Sequence, residues 1–336
     1  MLINRIMPSR LGSSLGAAIL IGLVALCPAA SSAQSEEVVK LGDLFAISNA
    51  AIYIAIEKGY FKEQGLRNEI TNFASAAKAL PALTAAEIEV SVGTASAGLF
   101  NAVAQGAPFR IVADKGQGRA GTSYVLLAVR KDLVDSGQVK SVKDLKGKKV
   151  AVFAKGIIQD YLMGKMAEEV GLTIKDFDIT YLGAPQQVTA FETKAIDAAQ
   201  TVEPWGARFE ERGVAVRFRT PDQVKGLTPV QIACIMYSGK FINERRTVAQ
   251  RWMNAYLKAA KLFNERGVKD DELATIIAKY TKVPANVVKT AIPHYQAPDG
   301  KPVLESLADQ IKWFVANGYM KEPVPIEKVV DLSFLR

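Results

Sequence analysis

Histidine and cysteine are almost missing from this chain of 336 residues, which carries one histidine, His294, and two cysteines, Cys27 and Cys234. A metal site built from His and Cys needs several such side chains, so none is expected here. A Ser-His-Asp relay would have to use His294, and no G-x-S-x-G elbow accompanies it. His294 therefore reads as structural, beside Pro293, and the chain is not expected to be an enzyme. Basic runs are missing too: Lys and Arg are dispersed, with nothing longer than "ERR" at 244–246, which argues against nucleic acid as a partner. No apolar run is long enough for a permanent membrane span. The stretch Leu15–Leu26, "LGAAILIGLVAL", covers about 12 residues against the ~20 that cross a bilayer.

That stretch has a different meaning. "MLINRIMPSR" places Arg5 and Arg10, with no acid, ahead of it, and "CPAASSAQ" comes after it with small residues. Ser31 and Ala33 fit the −3 and −1 positions of a cleavage site before Gln34, so residues 1–33 read as a secretory signal peptide. Leu26 stands where a lipid-attachment motif at Cys27 would need a small residue. Cleavage leaves about 300 residues with Cys234 as the sole cysteine, so no internal disulfide is available and a sizeable core must hold the fold. Two domains of ordinary size are expected from that length. Cys234 lies inside "VQIACIMY" and reads as a small buried hydrophobe. The net charge of +8 favours anionic ligands only slightly.

From Val38 onward, short β-branched runs alternate with longer helical patterns. "VVKLGDL", "RNEITNF", "IEVSVG" and "FRIVAD" read as strands, separated by the helices "NAAIYIAIEKGYF", "AAKALPALTAA" (broken or kinked at Pro81) and "SAGLFNAVAQG". This order argues for a parallel sheet covered by helices. The pattern restarts at "GKKVAVF" (147–153), and strand–helix–"GL"–strand units recur in the two halves. Two apolar, β-branched stretches, 122–132 and 227–241, read as strands crossing between two α/β lobes, and the chain beyond 241 is nearly all helical. The expected division is lobe one at 34–124 and 232–336, lobe two at 125–231, with the hinge near 122–130 and 228–238 and the helical tail packed on lobe one.

"DKGQGRAGTSYVLL" (114–127) contains G-x-G-x-x-G as Gly116, Gly118 and Gly121. A dinucleotide fingerprint needs those glycines to turn a strand directly into a helix, so that the helix start faces the pyrophosphate. Here the next residues are "TSYVLLAV", which is β-branched and alternating, so the triplet opens a crossing strand. No cofactor is expected.

"IYIAIEKGYFKEQGL" (52–66), followed by "ALTAAEIEVSVGTASAGLFNAVAQGAPFRIVA" (82–113), resembles the periplasmic substrate-binding proteins of ABC importers. The branch is the one serving nitrate, sulfonates, taurine and thiamine-precursor pyrimidines. "SVKDLKGKKVAVFAKG" (141–156) and "FETKAIDAAQTVEPWG" (191–206) agree with it. The resemblance covers 38 to about 240. It implies a monomeric two-lobe receptor of the type II periplasmic-binding-protein fold, closing on a ligand and delivering it to a membrane permease. The implied ligand is a small organic anion: a sulfonate first, then a carboxylate or nitrate, with a thiamine-type pyrimidine precursor as the runner-up. A secreted hydrolase is the alternative of another class. The eukaryotic pyrimidine synthase of the same family uses a Cys-rich segment that this chain lacks.

In open α/β sheets, ligands bind beyond the carboxyl ends of strands, where helix starts present free N–H groups. Four loops fit. "FAISNA" offers Phe45, Ser48 and Asn49; "FASAAK" offers Ser75; "GTASAG" offers Thr94, Ala95 and Ser96; and "FAKGIIQ" offers Lys155 and Gly156. Arg119 could grip a carboxylate or sulfonate bidentately. In "TVEPWG", Glu203 ends a strand and Trp205 could stack on the ligand. Glu203 suits an amine or hydroxyl, or neutralises Lys155 or Arg119. Each of these residues also has an ordinary structural role, as cap, solvated charge or packing group.

Overall fold

The computed structural model describes residues 36–44, 46–73 and 75–335. The signal-peptide expectation at 1–33 and the site expectation at Phe45 fall outside them. No helix among the described residues is long and apolar enough to cross a membrane.

The first sheet begins with β1 (Glu37–Asp43), helix α1 (Ala50–Glu57), β2 (Leu66–Asn72), helix α2 (Ala76–Thr84), β3 (Val90–Thr94), helix α3 (Ala97–Ala104) and β4 (Phe109–Gly118). Helix α2 runs through Pro81 rather than breaking there. The second sheet comes next: β5 (Val125–Arg130), β6 (Lys149–Val152), helix α4 (Ile158–Glu168), β7 (Asp178–Tyr181), helix α5 (Ala184–Glu192), β8 (Ala198–Val202), helix α6 (Trp205–Glu211) and β9 (Ala215–Arg219). Strand β10 (Val230–Ser238) returns to the first sheet, and helices α7 (Arg246–Arg266), α8 (Asp271–Thr281), α9 (Ala285–Thr290) and α10 (Leu304–Ala316) complete the chain.

The two five-stranded sheets have matching orders, β2-β1-β3-β10-β4 and β7-β6-β8-β5-β9. Each sheet is parallel on one side, as expected, and antiparallel around one strand. Strand β10 is antiparallel to β3 and β4, and β5 is antiparallel to β8 and β9. Each antiparallel strand arrives from the opposite half of the chain, so the crossings lie in the connections 119–124 and 220–229.

Burial explains the strand sequences. β3 ("VSVGT") and β10 ("VQIACIMYS") are covered on both faces and read as continuous small or apolar runs. β2 ("LRNEITN") lies at an edge and alternates toward polar residues. β4 is the other edge, yet nearly all of it is buried. The C-terminal segment covers it: Asp114 N–H donates to Gly300 O, Gln117 N–H to Tyr295 O, and Asp331 N–H to Ile111 O. Cys234 is fully buried in β10, and burial pushes its thiol pKa up.

The glycine triplet has structural reasons. A Cβ on Gly116 would stand 2.9 Å from the ring of Tyr124, and Gly121 adopts a left-handed turn at φ +72°. The next element is a strand, β5, and not a helix.

Helix α1 is apolar nearly all round because it is buried, packed on α7 and α8 and tied by Tyr53 Oη to Asp43 at the end of β1. Trp252 of α7 donates from Nε1 to Asn68 Oδ1 at 2.8 Å and packs against Phe61 and Tyr237. The tail does not rest on the first sheet alone. Helix α10 also packs on α4 of the second sheet, where Tyr161 donates to Asp309 at 2.6 Å and Trp313 Nε1 to Glu168 at 2.8 Å.

Candidate ligand-binding cleft

The helix starts that succeed β3 and β6, one from each sheet, meet. Ser96 pairs with Ile157 as an isolated antiparallel bridge, and Ala97 N–H donates to Gly156 O at 2.8 Å. Gly156 is left-handed at φ +75°, and an added Cβ would come within 3.3 Å of both Ala97 and the Tyr319 ring. A side chain at 156 would thus strain the backbone and wedge the sheets apart.

Ser96 is buried at the start of α3, where its Oγ accepts the Leu99 N–H at 3.2 Å. Ser75 caps α2 in the same way, accepting from Lys78 N–H at 3.4 Å. An oxygen used as a cap acceptor still holds its own proton, so both hydroxyls can donate outward. Thr94 is half-buried at the end of β3, and Ala95 is buried behind it.

Ser48 and Asn49 turn inward. Asn49 donates to Asp43 and to Tyr53 Oη, while its Oδ1 accepts from Lys115. Both ends of the amide are engaged inside the first lobe, so the outward-facing role expected for Asn49 is not how it sits. Ser48 Oγ accepts from Lys115 Nζ at 2.8 Å, and its backbone oxygen accepts from Gln296 Nε2 at 2.5 Å. Lys115 is 1% exposed. Burial lowers its ammonium pKa to about 8, against the pull of Asp43, Cys234 and Asp114. Burial raises neighbouring Asp114 to about 6, opposed by hydrogen bonds from Gln231, Ala297 and Gly116. A buried lysine thus pins the loop that begins α1. Sequence pattern does not reveal it, because the strand signal ends at Asp114 and the burial of this edge depends on residues nearly two hundred positions later.

Glu203 is fully buried and meets neither Lys155 nor Arg119. Its Oε1 accepts from Arg217 Nη1 at 2.9 Å and Ile292 N–H at 3.1 Å, and its Oε2 from Ala207 N–H at 3.1 Å. Burial raises its pKa, and Arg217 is the chief opposing influence. Arg217 also donates to Thr290 O at 3.0 Å and bridges to Glu210. Trp205 opens α6, half-buried against a small core with Ile292, Phe191 and Phe209. Arg119 is exposed: its Nε donates to Gln117 at 3.0 Å and its guanidinium lies 4.2 Å over the Tyr295 ring. Lys155 is exposed beside Gly156. The structure therefore gathers Ser96 and Gly156 across the cleft, gathers Ser48 and Asn49 on Lys115, and sets Arg119 and Glu203 to tasks of their own.

The segment 290–297 spans both halves. Thr290 and Ile292 are tied to Arg217 and Glu203. Gln296 donates to Ser48 O and Lys115 O, and Ala297 N–H donates to Asp114 Oδ2 at 2.7 Å. His294 lies in this segment between Tyr124 and Phe263, with ring centroids 5.1 and 4.6 Å away. Neither ring nitrogen has a hydrogen-bond partner, and burial, with Lys115 nearby, lowers its pKa to about 3.

Two mixed α/β sheets of matching strand order, the first completed by the returning strand β10, with helix starts facing across the gap, define the two-lobe periplasmic-binding-protein fold. The chain belongs to the NMT1-like family, whose model matches residues 32–278. Solved structures agree on the fold. The alkanesulfonate-binding protein of Xanthomonas axonopodis pv. citri, bound to MOPS, superposes with a TM-score of 0.72 at 19% identity, over 88% of this chain and 98% of its own. The periplasmic nitrate-binding protein of Synechocystis PCC 6803 gives 0.72 at 15% identity, over 88% and 86%. A desulfurization enzyme shares the fold at a TM-score of 0.60 and 13% identity, over 89% and 97%. A search of curated proteins found no match.

Proposed function

We propose that the protein is an exported, monomeric solute receptor that binds a small organic anion between its lobes and delivers it to an ABC permease. A sulfonate is the first choice of ligand, a carboxylate or nitrate the next. The observation that carries this reading is the Ser96–Ile157 contact, where helix starts from the two sheets converge. A ligand touching both sides favours the closed arrangement by its differential affinity. Ser75 and Ser96, whose oxygens accept from their own helices, have protons left to offer an anion. The names of two structural relatives, which bind alkanesulfonate and nitrate, support the ligand class.

In this reading the lone histidine is structural. Its imidazole is packed between Tyr124 and Phe263, and among the described residues neither ring nitrogen meets a hydroxyl or carboxylate of the kind a relay uses.

The test is thermal unfolding against taurine, longer sulfonates, nitrate, aromatic carboxylates and pyrimidine precursors. A ligand at ~100 times its Kd adds ~2.7 kcal/mol of stability. A shift with one anion class, weakened in Ser96→Ala, supports the reading. Silence across the panel at millimolar ligand would remove the ligand class and leave the fold standing.

A further inference from the structure

Helix α10 belongs to the first lobe and grips the second. One stripe of it is fastened at home. Ser306 Oγ accepts the Gln231 N–H of β10 at 2.9 Å, Gln310 Nε2 donates to Gln231 O at 2.8 Å, and Phe314 packs on Phe100 of α3. The neighbouring stripe, Asp309 and Trp313 at i and i+4, faces α4 of the other lobe. Tyr161, Lys165 and Glu168 lie along one side of α4 at four- and three-residue steps, so two helix faces meet.

The parts of this contact match. Tyr161 Oη donates to Asp309 Oδ2 at 2.6 Å, and Lys165 Nζ lies 3.6 Å from the same carboxylate. Trp313 Nε1 donates to Glu168 Oε1 at 2.8 Å. The indole stands edge-on to the Tyr161 ring and stacks on Tyr319, which in turn packs on Gly156. Gly164 leaves the space in which the indole sits. Trp313 is 6% exposed and Tyr161 2%.

Separating the lobes here would uncover both rings and take the acceptors from the indole N–H and the tyrosine hydroxyl. Those losses oppose opening whether or not a ligand is present. A cavity of about 500 Å³ adjoins the contact. Its walls include Tyr161 and Lys165 of α4, Lys225 and Thr228 of the second crossing connection, and Glu305 and Asp309 of α10. Since both lobes and the connection line it, this space must change shape as the angle between the lobes changes.

We propose that α10 is a built-in clamp, its Asp309 and Trp313 holding α4 so that the lobes stay together without ligand. Capture then begins with release of α4 from α10 rather than with the closing of an open cleft. A ligand adds its own contacts to an arrangement that is already the populated one. The inference concerns the lobes alone and is independent of which anion the cleft takes.

Small-angle X-ray scattering tests it on purified protein freed of carried ligand by unfolding, dialysis and refolding. The ligand-free parent is expected to scatter as the closed structure does. The double variant Glu168→Ala, Asp309→Ala is expected to show a larger radius of gyration, with stronger acrylamide quenching of tryptophan emission as Trp313 is uncovered. Both acids are about half exposed, at 46% and 50%, so neither core is disturbed. Tyr161→Phe, which keeps the ring and removes the hydroxyl donor, is expected to shift the same way by less, and serves if the double variant fails to fold. A ligand-free parent more extended than the closed structure overturns the inference. So do variants that keep the parent's radius and quenching.

Discussion

The carboxylate of Glu203 and the guanidinium of Arg217 lie 2.9 Å apart, with the acid fully buried and the base about one-quarter exposed. The same carboxylate oxygen accepts the N–H of Ile292, so one buried pair fastens the 290–297 segment to the second lobe. Removing the base alone would leave an uncompensated buried charge. Arg217→Met is therefore expected to lose about 3 kcal/mol. Glu203→Gln, which keeps the size and one of the two acceptor oxygens, is expected to lose less, about 1–2 kcal/mol. Urea denaturation of the two variants checks the order; equal losses would show that the ionic character of the pair is immaterial.

His294 makes stability fall with acidity. Its folded pKa of about 3 lies below the ordinary 6.5, so below pH 6.5 the unfolded chain takes up a proton that the folded chain refuses. The contribution is whole above pH 6.5 and is lost as pH falls toward 3, about 4–5 kcal/mol in all. Asp114 and Asp160, each raised to about 6, act in the opposite sense between pH 6 and 3.8, so comparison with His294→Phe isolates the histidine. Because His294 is the only histidine, proton NMR reads one imidazole, and no titration is expected near pH 6.

Gly164 is needed for contact between α4 and α10. A Cβ at this position would lie 2.1 Å from Cζ2 of Trp313. Gly164→Ala, favourable to an isolated helix, is expected to cost about 1–3 kcal/mol here because the indole must move. Loss of the Trp313–Glu168 hydrogen bond would accompany it, giving a change in tryptophan fluorescence. An alanine variant as stable as the parent would place the two helices farther apart.

Lys115 holds the loop from which α1 starts. Lys115→Met would leave the Asn49 Oδ1 without its Lys115 donor and remove a cation that Asp43 attracts. A loss of about 3 kcal/mol is expected by chemical denaturation, with weaker ligand binding because Ser48 and Asn49 lose their common anchor. The charged amine is itself held at a cost. Since its folded pKa, about 8, lies below the ordinary 10.5, the stability of the parent relative to the methionine variant should rise between pH 8 and 10, the buried Cys234 and tyrosines, which act in the opposite sense, being common to both.

Strand and helix order was readable because period-two and helical patterns alternate cleanly from Val38 to Arg219. The caps Ser75 and Ser96 were readable because capping is a local property. What the sequence withheld was long-range. Nothing near Lys115 announces that residues 295–300 will bury its strand, and nothing near Glu203 identifies Arg217 and Ile292 as its partners. Asp309 and Glu168 give no signal of their own, because acids on a helix face are ordinary until their partners on the facing helix are found. The antiparallel setting of β5 and β10 was hidden because strand direction is fixed by where a connection lands, and both connections cross the molecule.

The return of β10 to the first sheet sets the order in which the two halves can be finished. Every strand of the second sheet comes from residues 125–219, one after another along the chain. The first sheet has β3 and β4 side by side in sequence and apart in space, with β10 between them. Until residues 230–238 arrive, neither strand has its central neighbour, and until 295–331 arrive the outer edge of β4 is bare. Loop closure on that scale is slow, so the first lobe should be the last part of the chain to lock.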